Sequence, residues 1–134
     1  MALTQPAGYS AVMNDKIAAL ACLSMAIAVA CGAFGAHALR ESLSDKDLST
    51  WNTAVLYQLI HSLAALFVTS FHCDQRRSAR VATLFLVSTL IFSGSLYLLV
   101  FLNLRWMGAI TPLGGSGFII SWLFLGRMMR KAQR

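Results

Sequence analysis

Four stretches of the chain carry almost no charge, and short polar or basic segments separate them. The first, Ile17 to Leu39, runs 23 residues without Asp, Glu, Lys or Arg. At 1.5 Å rise per residue such a helix spans about 34 Å, enough to cross a hydrocarbon core of about 30 Å. A second apolar segment covers about Ala54 to His72, a third about Val81 to Leu102, and a fourth runs from Thr111 to about Met129. Hydrocarbon offers no partners for backbone N–H and C=O groups, so segments of this kind must coil and pair internally. The pattern predicts an all-α membrane protein, with four transmembrane helices in a compact antiparallel bundle.

The segments between the runs give the boundaries. Residues 1–16 are mixed, include Pro6 and Gly8, and read as a flexible tail, with Met13 a conceivable second start. The bundle itself spans 17–129, and 130–134 form a basic tail. Ala36-His37-Ala38 looks like a signal-peptide cleavage site, but a signal core of about 7–15 residues is shorter than the first run. Between spans one and two, Ser44 and Asp47 have the spacing of an N-cap with an acidic partner, predicting a short interfacial helix that runs into the second span. Trp51 is then expected at headgroup depth with its N–H wet. Thr111-Pro112 opens the fourth helix as N-cap and first residue, and Arg127 near its end is expected to snorkel toward headgroups.

Composition supports lipid as the solvent. Apolar residues make up 57% and charged residues 12%, against about 45–50% and about 25% in soluble domains. The net charge of +6 is clustered between spans, which fits the positive-inside bias rather than nucleic-acid binding. Lys16, Arg76, Arg77, Arg80, Arg127, Arg130, Lys131 and Arg134 fall on one side of a four-span topology; Arg40, Lys46 and Arg105 fall on the other. Eight against three predicts both termini in the cytoplasm. Cys22, Cys31 and Cys73 form no CxxC pair, and the first two read as small packing residues.

Helical phase then sorts the faces. In the first span Ala21, Ser24, Ala28, Cys31, Gly32 and Gly35 share an arc of about 100°. Small residues on one face let helices approach closely, which drives association inside a bilayer. In the second span Gln58, His61, Ser62, Ala65, Thr69 and His72 share a similar arc, and both faces are expected to look inward. Gly114, Gly117 and Ser121 make a shorter stripe on the fourth helix. In the third, Ser88, Ser93, Gly94, Ser95 and Tyr97 do not share a face, which leaves that helix unoriented. The packing residues singled out are Ala28, Gly32, Gly35, Gly94 and Gly117.

The segments Gly32-Ala33-Phe34-Gly35-Ala36-His37, Trp51 through His61 (WNTAVLYQLIH), Phe92-Ser93-Gly94-Ser95-Leu96-Tyr97 and Ile110 through Gly115 (ITPLGG) occur together and in order. With them the chain resembles the YgdD-type family of small membrane proteins, a domain of unknown function with eukaryotic transmembrane relatives, over about residues 15–130. The resemblance implies a multi-span bacterial inner-membrane protein and carries no assigned reaction. Residues 1–13 look like an addition to the usual family length.

Candidate chemistry is sparse. Gln58 and His61 stand one turn apart at membrane depth, where polar groups are costly and suggest function. With Tyr57 they are a candidate site for a quinone, haem, metal or proton path; the competing reading is interhelical hydrogen bonding by an amide and a neutral imidazole. His37 is a conceivable partner, but it lies near the outer end of its helix, roughly 10 Å from the depth of His61, and points away from the small-residue face. His72 is expected at the inner interface. Arg105 with the helix start at Thr111, Gly114 and Gly115 is a candidate site for a lipid headgroup, because free N–H groups there can receive a phosphate. The spans contain no Asp or Glu, which counts against a proton- or cation-coupled transporter. GxxxxGK[ST], GxSxG and HExxH are absent.

These observations point first to a non-enzymatic accessory or structural protein that contacts membrane lipids, a partner membrane protein or further copies of itself. No cofactor is assigned. A quinone- or haem-binding protein built on Tyr57, Gln58 and His61 is the alternative, and a small transporter or pore the second.

Overall fold

The computed structural model describes residues 7–71 and 74–132, with side chains over 14–71 and 74–130. Four helices follow one another: α1 (Ala7–His37), α2 (Asp45–Thr69), α3 (Gln75–Phe101) and, after a short 3-10 segment at Arg105–Ala109, α4 (Thr111–Ala132). Asn14–His37, Asp45–Thr69, Gln75–Phe101 and Arg105–Arg130 are each long and apolar enough to cross a membrane. His72 and Cys73 lie outside the described residues, as do the extreme ends of the two expected tails, 1–6 and 133–134.

Helix boundaries differ from the sequence expectation in two places. Helix α1 starts at Ala7, so residues 7–16 are helical rather than a loose tail; Ala7, Ala11 and Met13 favour helix and no proline interrupts them. Helix α4 continues through Ala132, which takes in most of the expected basic tail. The interfacial segment runs into the second span as expected, in one unbroken α2 from Asp45. Its cap is as the spacing suggested. The Ser44 hydroxyl accepts from the Asp47 N–H at 3.2 Å and donates to its carboxylate at 2.7 Å, while Asp45 and Asp47 place negative charge on the positive end of the helix dipole.

At the far end of α3 the chain turns through Asn103, whose φ of 53° is left-handed, a conformation Asn tolerates better than most residues. Thr111 does not cap α4 with its side chain. Its hydroxyl meets that of Ser95 at 2.8 Å and donates to the Met107 carbonyl at 3.3 Å, so it ties α4 to α3 and to the preceding 3-10 segment.

Helices α2 and α3 form the central pair; α1 packs on both, and α4 lies along α3. The central interface is built from small residues, with Ala54, Ala65, Ala82 and Ser62 fully buried, which brings the helix backbones close and multiplies dispersion contacts. Helix α3 touches all three others. That explains why its small and polar residues share no single face: Ser78, Ser88, Ser93 and Ser95 are all buried, Ser93 against α2, Ser88 and Ser95 against α4, and Ser78 against the turn before α3 and against α4.

Four of the five expected packing residues sit at helix contacts. Ala28 is fully buried. A Cβ built at Gly32 would stand 3.3 Å from Val55 Cγ1, one at Gly35 would stand 2.7 Å from the Trp51 indole, and one at Gly117 would collide with Ser88. Gly94 is the exception: nothing lies within 4 Å of its added Cβ, because it borders a groove instead of a neighbouring helix. Trp51 also departs from expectation. It is buried, and its N–H is not wet but donates to the Cys31 carbonyl at 2.9 Å. The missing side chain of Gly35 is what lets the indole lie flat enough on α1 to reach it. Trp106, in the 3-10 segment, is exposed.

Candidate functional site

The polar residues of α2 divide between two places. Gln58 faces α1 and α3. Its amide nitrogen donates to the Ser24 carbonyl at 2.9 Å and to the Ser24 hydroxyl at 3.3 Å, and its amide oxygen accepts from the Tyr97 hydroxyl at 2.9 Å. Ser24 in turn shares a hydrogen bond of 2.7 Å with Ser62, and Ser93 donates to the Ala54 carbonyl at 2.8 Å. Both amide donors of Gln58 and the Tyr97 hydroxyl hydrogen are therefore in use. This is how a membrane interior tolerates a glutamine: its donors are engaged, and three helices are fastened together by one side chain.

His61 faces the other way, among aromatics of α3 and α4. Its ring lies on Phe118 with centroids 3.5 Å apart and planes at 14°, near Phe85 and Trp122. Tyr57 stacks on Phe92 at 4.5 Å and 19°. The His61 Nδ1 is 2.8 Å from the Tyr57 carbonyl one turn back; a carbonyl only accepts, so Nδ1 carries the hydrogen. Tyr57, Gln58 and His61 thus do not converge on one pocket. His37, at the end of α1, is exposed and belongs to neither group. Among the described residues no set of three or more His, Cys, Asp or Glu side chains could hold a metal ion.

Of the residues expected to receive a headgroup, Gly114 and Gly115 face α3. A Cβ at Gly114 would stand 2.5 Å from the Phe92 backbone nitrogen, and one at Gly115 would stand 3.7 Å from the Phe92 ring. These glycines seat the start of α4 against α3. Thr111 is engaged with Ser95, and Arg105 is exposed.

A further opening lies elsewhere. A groove of about 470 Å³ runs between α1 and α3, over α2. Leu20, Leu23 and Ile27 form one wall, Val87 and Leu90 the other, with Gly94 on the rim and Gln58 and Ser93 at the floor. From Ile17 to Cys31 its α1 wall rises about 21 Å at 1.5 Å per residue, more than the depth of one hydrocarbon leaflet, about 15 Å. The groove lies within the candidate spans, so it opens sideways onto lipid.

Sequence reasoning found Gln58, His61 and the small faces. It did not pair Gln58 with Tyr97, nor place His61 against Phe118, because both pairings depend on how α3 and α4 are rotated.

The profile of a family described as "Protein of unknown function (DUF423)" matches residues 31–115. The chain is 42% identical over 110 residues to the UPF0382 membrane protein YwdK of Bacillus subtilis, covering 79% of this chain and 89% of that one. It is 40% identical over 114 residues to a UPF0382 membrane protein of Haemophilus influenzae, covering 84% and 92% respectively. A UPF0382 membrane protein of Staphylococcus epidermidis is 43% identical over 107 residues, covering 79% and 88%. No solved structure matches.

Proposed function

Given that the chain belongs to the DUF423 family, whose relatives are membrane proteins of unassigned activity, we propose that it is a non-enzymatic accessory protein that holds a membrane lipid by its hydrocarbon chain in the groove between α1 and α3. The observation that carries this reading is the groove itself, about 470 Å³ and walled by apolar side chains at bilayer depth. Hydrocarbon fills any such recess, and a fixed recess favours a chain that lies along it. The floor favours a chain over a quinone ring. A quinone carbonyl needs a donor, and the donors of Gln58 and Tyr97 are already taken by Ser24 and Gln58.

The setting is a bacterial inner membrane, with both termini cytoplasmic on the eight-against-three distribution of Lys and Arg. Labelling of single cysteines placed near each end, in intact cells and in lysed ones, tests the orientation; labelling of either end in intact cells counts against it.

The test of the function is extraction of the full chain from its own membrane into polymer nanodiscs, an exchange wash, and identification of everything retained. Retained diacyl lipid, reduced in the Gly94→Leu variant that fills the groove rim, supports the reading. Lipid lost equally from both forms defeats it, and a retained quinone or pigment favours the Tyr57, Gln58 and His61 alternative.

A further inference from the structure

The walls of the groove continue past its end into a pair of basic faces. At about 100° per residue, Lys16 falls within about 80° of arc with Leu20, Leu23 and Ile27 on α1, and it stands one turn before Leu20. On α3, Arg76 and Arg80 fall within about 80° of arc with Val87, Leu90 and Gly94. All three basic side chains are exposed. The acidic residues at the same end, Asp15 and Asp74, lie off these faces, and Asp74 is held by Arg77 at 2.8 Å. Positive charge therefore stands where the headgroup of a lipid would sit when its chain lies in the groove.

We infer that the groove selects an anionic phospholipid, whose chain lies between α1 and α3 while Lys16, Arg76 and Arg80 receive its phosphate and headgroup. The inference rests on the reading of the groove as a lipid site and adds the chemical class of the lipid. Charge complementarity carries it: the basic residues are in phase with the apolar walls and about one to three turns beyond Leu20 and Val87, so one amphiphile meets both. Beyond the opposite end, near Cys31 and Tyr97, α1 and α3 carry no Lys or Arg, and Arg40 and Arg105 come only after these helices have ended, so basic side chains in phase with the walls stand at one end, which sets the direction in which the lipid lies.

Each basic residue near an anionic surface contributes about fivefold in binding, so the selectivity is measurable. The full chain is placed in phosphatidylcholine vesicles with trace photoreactive phospholipid, the diazirine midway along one chain and the headgroup either phosphatidylglycerol or phosphatidylcholine. Cross-linked peptides are then mapped. The phosphatidylglycerol probe is expected to label the α1 and α3 walls at least about fivefold more than its phosphatidylcholine twin, the contribution of a single such residue. Lys16→Gln with Arg76→Gln and Arg80→Gln should bring the two near parity. Should that variant fold poorly, the unmodified chain still reports, because raising salt to about 1 M shortens the Debye length to about 3 Å and should erode the preference. Equal labelling of the walls by both probes at low salt overturns the inference and leaves the lipid reading intact. Unlabelled walls with both probes overturn both. Chain-to-chain cross-links across the groove in place of lipid also overturn both, since a second copy then occupies it.

Discussion

The indole of Trp51 crosses α1 directly over Gly35, where an added Cβ would stand 2.7 Å from both Cδ1 and Nε1 of the ring. The contact joins the start of the second span to the end of the first, and the Trp51 N–H completes it on the Cys31 carbonyl. Gly35→Ala should therefore destabilise the bundle by about 1–3 kcal/mol, the usual range for overpacking. In a Trp51→Phe background, which removes the N–H and shrinks the ring, the same change should cost much less. Unfolding in mixed micelles with increasing SDS measures both; equal costs in the two backgrounds would show that the indole is not what Gly35 accommodates.

Gly94 on α3 and Gly114 on α4 should respond to alanine with opposite signs. Gly94 has open space at its Cβ position, whereas a Cβ added at Gly114 would stand 2.5 Å from the Phe92 backbone nitrogen. Gly94→Ala should stabilise by up to about 1 kcal/mol through helix propensity alone. Gly114→Ala should force α4 off α3 and lower the midpoint of thermal unfolding clearly. A destabilising Gly94→Ala would place a neighbour where the groove rim is open.

Gln58 and Tyr97 should be energetically coupled. Their hydrogen bond of 2.9 Å links α2 to α3, and bonds of this kind in membranes contribute about 0.6 kcal/mol on average and at most about 1.7 kcal/mol. Tyr97→Phe and Gln58→Leu are each expected to destabilise, and the double variant by less than their sum. Strict additivity in a double-mutant cycle would mean that the pair is not bonded in the bilayer.

His61 should be replaceable by an aromatic and not by a small residue. Its ring faces Phe118 at 3.5 Å between centroids, so His61→Phe keeps the stack and loses only a local bond to the Tyr57 carbonyl. His61→Ala leaves a void and should cost about 2–4 kcal/mol, in the range of large-to-small changes in packed interiors. If both variants fold equally well but both lose a retained quinone or pigment, the side chain is a ligand and not a packing element.

Much of the architecture was legible in the sequence because hydrocarbon leaves the backbone so few options. The four spans, the Ser44 cap and the inward faces of α1 and α2 all follow from local periodicity and composition. What could not be read depended on the rotation of α3. A helix that is buried on several sides has no single apolar stripe, so Ser88, Ser93 and Ser95 gave no phase. Without that phase, Tyr97 could not be assigned to Gln58, nor Phe92 to Gly114. The split of Gln58 from His61 was hidden for the same reason: they are close on the α2 wheel, and the neighbouring helices decide which side each one serves. Trp51 looked like an interfacial anchor because its residue type usually is one; only the absence of a side chain at Gly35 brings it inside.

Four of the cross-helix hydrogen bonds share a direction in time. Trp51 donates to Cys31, Gln58 to Ser24, Ser93 to Ala54 and Tyr97 to Gln58, so each of these donors reaches back to a helix that the ribosome has already released. Other hydroxyls, on Thr89, Ser116 and Ser121, bond to carbonyls within their own helix. Emerging N-terminus first, the polypeptide never has to leave these donors waiting in oil for an acceptor still to be made.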